Sequence, residues 1–323
     1  MRAVLTTLLA LTSACAPRLA AEGPEIRMPA IERGQGNGVA ADRYVTRDGL
    51  RLGLMHWDAP MPFAVIVALH GMSDYSNAFA MPAPWWAQHG ISTYAYDQRG
   101  FGRSPDPGIW PPDRIMRRDL ADFVDVVKAR HPALPVYVLG ESMGGAVAIT
   151  AFASDQPPKA DGLILVAPAV WSQKTMPFAY RVALWTTSHT FRGWALSGSG
   201  LKIMPSDNVP VLVAIGRDPL FQKHARADAI YGLVSLMDEA YDWAPRLKNV
   251  PLLFMYGGND QIIPRQPTQH VVAQLGSNAT VKFYPKGYHM LLRDLDGGAR
   301  WADIALWVGA QAQKRMGPAM AAR

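Results

Sequence analysis

A serine hydroxyl is a poor nucleophile unless a base takes its proton and a carboxylate orients that base. Ser142 is where this chain offers such a hydroxyl, inside VYVLGESMGGAVAI, Val136 to Ile149. A short apolar run ends in Gly140-Glu141-Ser142-Met143-Gly144, and small and apolar residues suited to a helix follow. A bare G-x-S-x-G recurs by chance in ordinary Gly-rich turns. Between a strand and a helix, the same five residues form a nucleophile elbow. The serine backbone is then strained at a sharp turn, and Gly140 and Gly144 let strand and helix pass closely. The helix points its positive end at the charge that develops in the reaction.

The elbow calls for a chain order of serine, acid, histidine. His224, His270 and His289 lie downstream at a useful distance. His289, in KFYPKGYHMLL, comes just past a strand-like run on a Gly-containing loop, where a base reaches the active end of a sheet. His224 falls in a helix-rich stretch, and His270 in a helix expected after Pro267. Two similar segments compete for the acid: PVLVAIGRD, ending at Asp218, and PLLFMYGGND, ending at Asp260. Asp260 stands just outside a strand of the main rhythm, where catalytic groups collect in open α/β sheets, and is the expected acid. Asp218 lies in the helix-rich stretch. Asp294 and Asp296 follow His289 too closely to come from a preceding strand.

The oxyanion of an acyl transfer needs two backbone donors. Met143, directly after the serine, supplies one. The other is expected from His70-Gly71-Met72, after the early apolar run Phe63–Leu69, with Met72 as the donor and His70 in a turn role. A metal mechanism finds no support: there is no H-E-x-x-H, no pair of histidines at ligand spacing and no cysteine cluster. Gly34-Gln35-Gly36-Asn37-Gly38 is not a nucleotide loop, because no strand precedes it. No cofactor is expected.

The elements that must position these residues follow from apolar patterning. RYVTR and LRLGLMHW flank Asp48-Gly49, a hairpin signal. Phe63–Leu69, Ile91–Tyr96, Val136–Leu139, Leu163–Val166, Leu252–Tyr256 and Val281–Tyr284 are short apolar, β-branched or aromatic runs. Helical patterns lie between them, such as Asp113–Arg130, which starts at Pro112-Asp113 and stops at His131-Pro132. Strands alternating with helices predict an α/β fold with a buried, mostly parallel sheet and helices on both faces. From about 170 to 249 the rhythm breaks into helical pieces rich in Trp, Met, Phe and Leu, which predicts a mainly helical cap insertion. Trp171, Met176, Phe178, Trp185, Phe191 and Trp194 crowd one short span of it, either lining an apolar acyl pocket or only holding the cap together.

With 323 residues, 49% hydrophobic and 18% charged, the chain is long enough for one large α/β domain. The formal charge is +6, but no basic stripe is interleaved with aromatics, so nucleic acid is not an expected partner. The start, MRAVLTTLLALTSACAPRLAAEGPE, has an apolar run too short to span a bilayer. It reads as a secretory signal over 1–15, and the only cysteine, Cys15, follows small residues as in a lipoprotein processing site. Leu11 stands one position further from the cysteine than is usual. Residues 16–40, rich in Gly and Pro, are expected as a flexible tether to a domain over 41–323. The expected location is the bacterial cell envelope, with the chain lipid-anchored through Cys15, or alternatively periplasmic or secreted.

LHGMSDYS, YDQRGFGRS, GESMGG, YGGNDQIIP and GYHMLLRD together resemble the α/β-hydrolase superfamily. Within it they are similar to the bacterial monoacylglycerol lipase and lysophospholipase group, which shares its motifs with the serine aminopeptidase family. The resemblance runs from Arg43 onward. In the insertion only RDPLF, Arg217 to Phe221, is family-like. It implies a carboxylic ester hydrolase with a small lipid-like substrate, and a structural role for the turn from Asp97 to Ser104. Two alternatives stay open: a peptidase of the proline iminopeptidase type, with Asp238-Glu239 and Asp242 holding a substrate amine, and a non-catalytic envelope binding module.

Overall fold

The computed structural model describes residues 16–34, 42–197 and 202–316. Its strands are β1 (Ala30–Glu32), β2 (Arg43–Val45), β3 (Arg51–Trp57), β4 (Ala64–Leu69), β5 (Ile91–Tyr96), β6 (Val136–Glu141), β7 (Gly162–Val166), β8 (Ala195–Leu196), β9 (Ala225–Arg226), β10 (Leu252–Gly257) and β11 (Ala279–Tyr284). Its helices are α1 (Pro82–Gln88), α2 (Asp113–Arg130), α3 (Met143–Phe152), α4 (Phe178–Thr190), α5 (Val209–Arg217), α6 (Ala227–Trp243), α7 (Arg265–Gln274) and α8 (Gly297–Met316).

Nine strands form one sheet in the order β1-β2-β3-β5-β4-β6-β7-β10-β11. The first three strands enter antiparallel, and every pairing from β5 to β11 is parallel. Strands β4, β5, β6, β7 and β10 are buried along their whole length, which is why their sequences are apolar on both faces, Ser92 and Thr93 of β5 and Glu141 of β6 excepted. The two-residue period shows in packing instead. Val65, Val67 and Leu69 join the core under α2, α3 and α6, while Ala64, Ile66 and Ala68 join the core under α1 and α8. The sheet is thus covered on both faces, the expected α/β architecture.

The parallel register aligns the strand ends that matter. Leu69 pairs with Gly140, Glu141 with Val166, Val166 with Met255, and Gly257 with Tyr284. The loops leaving β4, β6, β10 and β11 therefore emerge side by side.

The segment expected as cap, about 170–249, divides in two. Helix α6 packs along α3 and buries Ala229, Val234, Leu236, Met237 and Ala240 in the core. It is the crossover helix that a parallel β7–β10 step requires. The cap proper ends near Arg226 and holds α4, the β8–β9 ribbon and α5. The described part of the expected tether, 16–34, lies against the domain. Ala20 N–H donates to the Trp110 carbonyl (2.8 Å), Glu22 pairs with Arg114 and Arg118 of α2, and β1 pairs with β2. A three-residue strand and a few ion pairs leave no period in sequence, so this contact was illegible there. Cys15 lies outside the described residues.

Candidate active site

Strand β6 ends in the elbow. Ser142 sits at φ 52° and ψ −116°, in the left-handed half of backbone space that a non-glycine residue rarely enters. Its neighbours enforce the turn. A Cβ on Gly140 would lie 2.4 Å from the Gly144 carbonyl oxygen, and one on Gly144 would lie 2.3 Å from that of Leu69. The Ser142 N–H donates to the Val166 carbonyl (3.0 Å), which fastens the turn to β7.

The loops after β10 and β11 bring the other two side chains to this serine. Asp260 Oδ1 accepts from the N–H groups of Ile262 (2.8 Å) and Ile263 (3.0 Å), which fixes the carboxylate plane. Asp260 Oδ2 lies 2.8 Å from His289 Nδ1, and His289 Nε2 lies 2.9 Å from Ser142 Oγ. Both side chains are buried. An Nδ1–H donated to Asp260 leaves Nε2 as an acceptor facing the serine hydroxyl, the arrangement a general base requires.

The competing residues have other work. His224 and His270 are exposed. Asp294 shapes the histidine loop: Oδ2 accepts from the Tyr288 N–H (2.8 Å) and Oδ1 from the Ser206 hydroxyl (2.8 Å). Asp296 pairs with Arg300. Asp218 accepts from the Tyr75 hydroxyl (2.7 Å). His70 is a buried brace: its Nδ1–H donates to the Gly71 carbonyl (2.8 Å) while Nε2 accepts from the Gln98 N–H (2.9 Å). Those two bonds specify one neutral tautomer, and burial pushes the imidazole below its ordinary value of 6.5. Asp97 accepts from the N–H groups of Ser76 and Arg103, and the Ser104 hydroxyl from its own turn donates back to the Asp97 carbonyl. Arg99 of the same turn donates to Asp48 and Asp119, so the turn is braced against the domain.

Met143 is the first residue of α3, so its N–H has no carbonyl one turn behind it. Met72 follows Gly71, whose backbone lies close enough that a Cβ there would be 3.2 Å from Ser142 Cβ. Both expected donor residues thus border the serine. Ser142, Gly71, Met72 and His289 open onto a cavity of about 470 Å³. Its walls are Trp171, Met176 and Phe221 from the cap, Ile230, Leu233, Val234 and Met237 from α6, and Ile262 and Ile263 from the acid loop. Of the six apolar residues that crowd the start of the insertion, Trp171 and Met176 line it. Phe178, Trp185, Phe191 and Trp194 face outward, between 55% and 74% exposed.

Residues 60–296 match the family Hydrolase_4, described as serine aminopeptidase, S33. The chain belongs to this family. A monoacylglycerol lipase of Mycolicibacterium smegmatis is 28% identical over 265 residues, 76% of this chain and 88% of that protein. Phospholipase YtpA of Bacillus subtilis is 29% identical over 215 residues, 65% of this chain and 80% of its own. Among solved structures, a soluble variant of the Saccharomyces cerevisiae monoglyceride lipase, in complex with a substrate analog, superposes with a TM-score of 0.69 at 16% identity. That match covers 91% of this chain and all of the yeast one. The fold is that of the α/β-hydrolases.

In this hydrolase the site also contains a buried ionic cluster that sequence reasoning missed. Arg293 donates from Nη1 to Asp74 Oδ2 (2.6 Å) and from Nη2 to Glu141 Oε2 (3.2 Å). Asp74 belongs to the loop after β4, Glu141 immediately precedes the serine, and Arg293 lies four residues past His289. One guanidinium therefore ties together three of the four strand ends that build the site, those of β4, β6 and β11. Burial opposes charge on both partners; it raises the Glu141 carboxyl, while Asp74 and Glu141 outweigh it at Arg293 and hold the guanidinium charged. The motif places Glu141 at an unrestricted position and Arg293 far along the chain, so neither carries a signal alone.

Proposed function

We propose that the protein hydrolyses carboxylic esters with an apolar acyl chain, monoacylglycerols or lysophospholipids, through an acyl-enzyme on Ser142. The observation that carries this is the serine's position: it faces a cavity whose walls are almost wholly apolar and whose size suits a ligand of acyl-ester dimensions. The relatives named as lipases and a phospholipase support the same substrate class.

The chemistry follows from the geometry. Ser142 Oγ attacks the ester carbonyl as His289 Nε2 takes its proton, and Asp260 stabilises the imidazolium through Nδ1–H. The carbonyl oxygen becomes an oxyanion, held by the N–H groups of Met72 and Met143. When the tetrahedral intermediate collapses, the alcohol leaves with the proton from His289. Water then attacks the acyl-enzyme with His289 again as base, and the fatty acid departs.

The outer cap face fits a substrate held in a lipid layer. Phe178, Trp185, Phe191 and Trp194 are exposed there, and the sequence from Val170 to Arg226 has seven Lys and Arg against two Asp. Attachment through a lipidated Cys15 would keep this face near a membrane. We propose that too, and Cys15→Ser should then release the protein from the membrane fraction. The aminopeptidase alternative lacks a free acidic pair: Asp238 accepts from Ser172 and Gln173, Glu239 pairs with Arg117, and Asp242 pairs with Lys174. A binding module would have no use for an intact serine–histidine–aspartate chain.

A series of p-nitrophenyl esters from two to twelve carbons tests the reading, with monoacylglycerol, lysophosphatidylcholine and aminoacyl amides alongside. Four further buried methylenes contribute about 3 kcal/mol, so kcat/KM should rise on the order of 10²-fold between four and eight carbons. A maximum at two carbons, or preference for the amides, would overturn it.

A further inference from the structure

The cap does more than cover the cavity. Its segment Asp218–Gln222 is hydrogen-bonded to the loop that carries Met72. The Tyr75 hydroxyl donates to Asp218 Oδ2 (2.7 Å), and the Gln222 N–H donates to the Ser73 carbonyl (2.9 Å). Gln222 Nε2 also donates to the Gly100 carbonyl (2.5 Å), which anchors the same cap residue to the body of the domain. Within the cap, Asp218 Oδ1 accepts from the Leu220 N–H (2.8 Å) and so braces the turn.

Two features give these bonds a consequence. Ser73 adopts φ 72°, a left-handed conformation that a non-glycine residue holds only when its surroundings impose it. Ser73 directly follows Met72, so the peptide whose carbonyl Gln222 grips lies two peptide units along from the one donating to the oxyanion. Phe221, between the two gripping residues, lines the acyl cavity. One five-residue cap segment thus touches the acyl chain's space and the oxyanion loop together. Burial and Asp218 both raise the Tyr75 hydroxyl well above its ordinary range, so it remains a donor throughout the working pH.

We infer that Asp218, Tyr75 and Gln222 are positioning residues: the cap segment holds the Met72 N–H on the oxyanion and transmits filling of the acyl cavity to it. This rests on the proposed ester hydrolysis at Ser142, with Met72 as an oxyanion donor. An acyl chain packed on Phe221 steadies the segment, and through it the donor, so chain length acts on turnover as well as on binding.

The test is Tyr75→Phe, which removes one hydroxyl and keeps the ring. Removing a whole oxyanion donor costs on the order of 10²–10³ in kcat, and a loosened one should cost about tenfold. The expected result is that loss in kcat on an octanoyl ester with KM changed less than twofold. Affinity for an alkyl boronic acid, which becomes tetrahedral on the serine, should fall by the same factor while affinity for octanoic acid holds. Asp218→Ala should match it, the double variant should be no worse than either, and Asp218→Asn, which keeps a carbonyl acceptor, should recover most of the rate. Wild-type kcat and boronate affinity in Tyr75→Phe would overturn the inference, as would an equal loss of octanoic acid binding, which would mark a purely structural contact. Failure of the underlying reading looks different: wild-type protein would neither bind the boronate nor turn over esters in a Ser142-dependent way.

Discussion

Pro210–Asp218 and Pro251–Asp260 are both apolar runs that close on glycine and aspartate, yet one is a helix on the cap and the other an interior strand of the sheet. Strand β10 lies between β7 and β11, and both neighbours pair with its backbone. Helix α5 lies outside the nine-stranded sheet, and its backbone satisfies its polar groups internally. Pro210 suits the first turn of a helix, where no N–H is needed. Pro251 instead precedes β10 and accepts from the Leu163 N–H at 2.9 Å. The aspartates diverge with their backbones. Asp260 is delivered beyond the strand's carboxyl end onto His289, while Asp218 caps a helix and meets Tyr75. What a short apolar run becomes depends on the partners waiting for it.

The sharpest way to break this contrast is to neutralise each aspartate. Asp260→Asn should lower kcat on the order of 10⁴-fold, because the amide favours the wrong imidazole tautomer. Asp218→Asn should stay within a few-fold of wild type, as its carbonyl can still accept from Tyr75. Steady-state kinetics on one ester decides, and exchanged behaviours would place the acid in the cap.

The glycines sharpen the same contrast in stability. A Cβ on Gly257 would lie 2.5 Å from the Gly287 carbonyl oxygen, whereas one on Gly216 meets nothing within 4 Å. Gly257→Ala should cost about 2–3 kcal/mol in denaturant unfolding. Gly216→Ala, inside a helix, should gain roughly 0.5–1 kcal/mol. Equal effects would mean that the two backbones are not so differently packed.

Inward and outward cap residues should separate as well. Leu233→Trp, narrowing the cavity, should cut kcat/KM for decanoyl esters about tenfold relative to acetyl esters. Trp185→Ala on the exposed face should leave soluble esters unchanged. A reversed pattern would put the acyl chain on the outer face.

Much of this was legible in sequence because it rests on local chemistry. Continuous apolar runs marked the buried strands, and the glycines around Ser142 marked the turn. What stayed hidden depends on pairing across the chain. Arg293 meets Glu141 across 152 residues, and no local pattern joins them. Helix α6 reads as a helix in either role, and only its packing on α3 makes it part of the core rather than the cap. The outward direction of Phe178, Trp185, Phe191 and Trp194 stayed hidden because composition names a residue type without giving its direction.

The smallest expected effect concerns His70, near the serine but outside the reaction. Its folded state favours the neutral imidazole, so the unfolded chain binds the extra proton first. Stability is then fully present above about 6.5 and declines as pH falls below that value. Unfolding midpoints from pH 8 to 5 should show this slope in wild type and a shallower one in His70→Asn. An unchanged slope would assign it to other groups.

The most direct measurement of the central claim is to trap the acyl-enzyme's stand-in. Wild-type protein is treated with an alkyl fluorophosphonate, digested, and mapped by mass spectrometry. One adduct per chain should appear, on the peptide containing Ser142, and Ser142→Ala should take up none. An adduct on another residue, or full ester turnover by the labelled protein, would contradict Ser142 as the nucleophile.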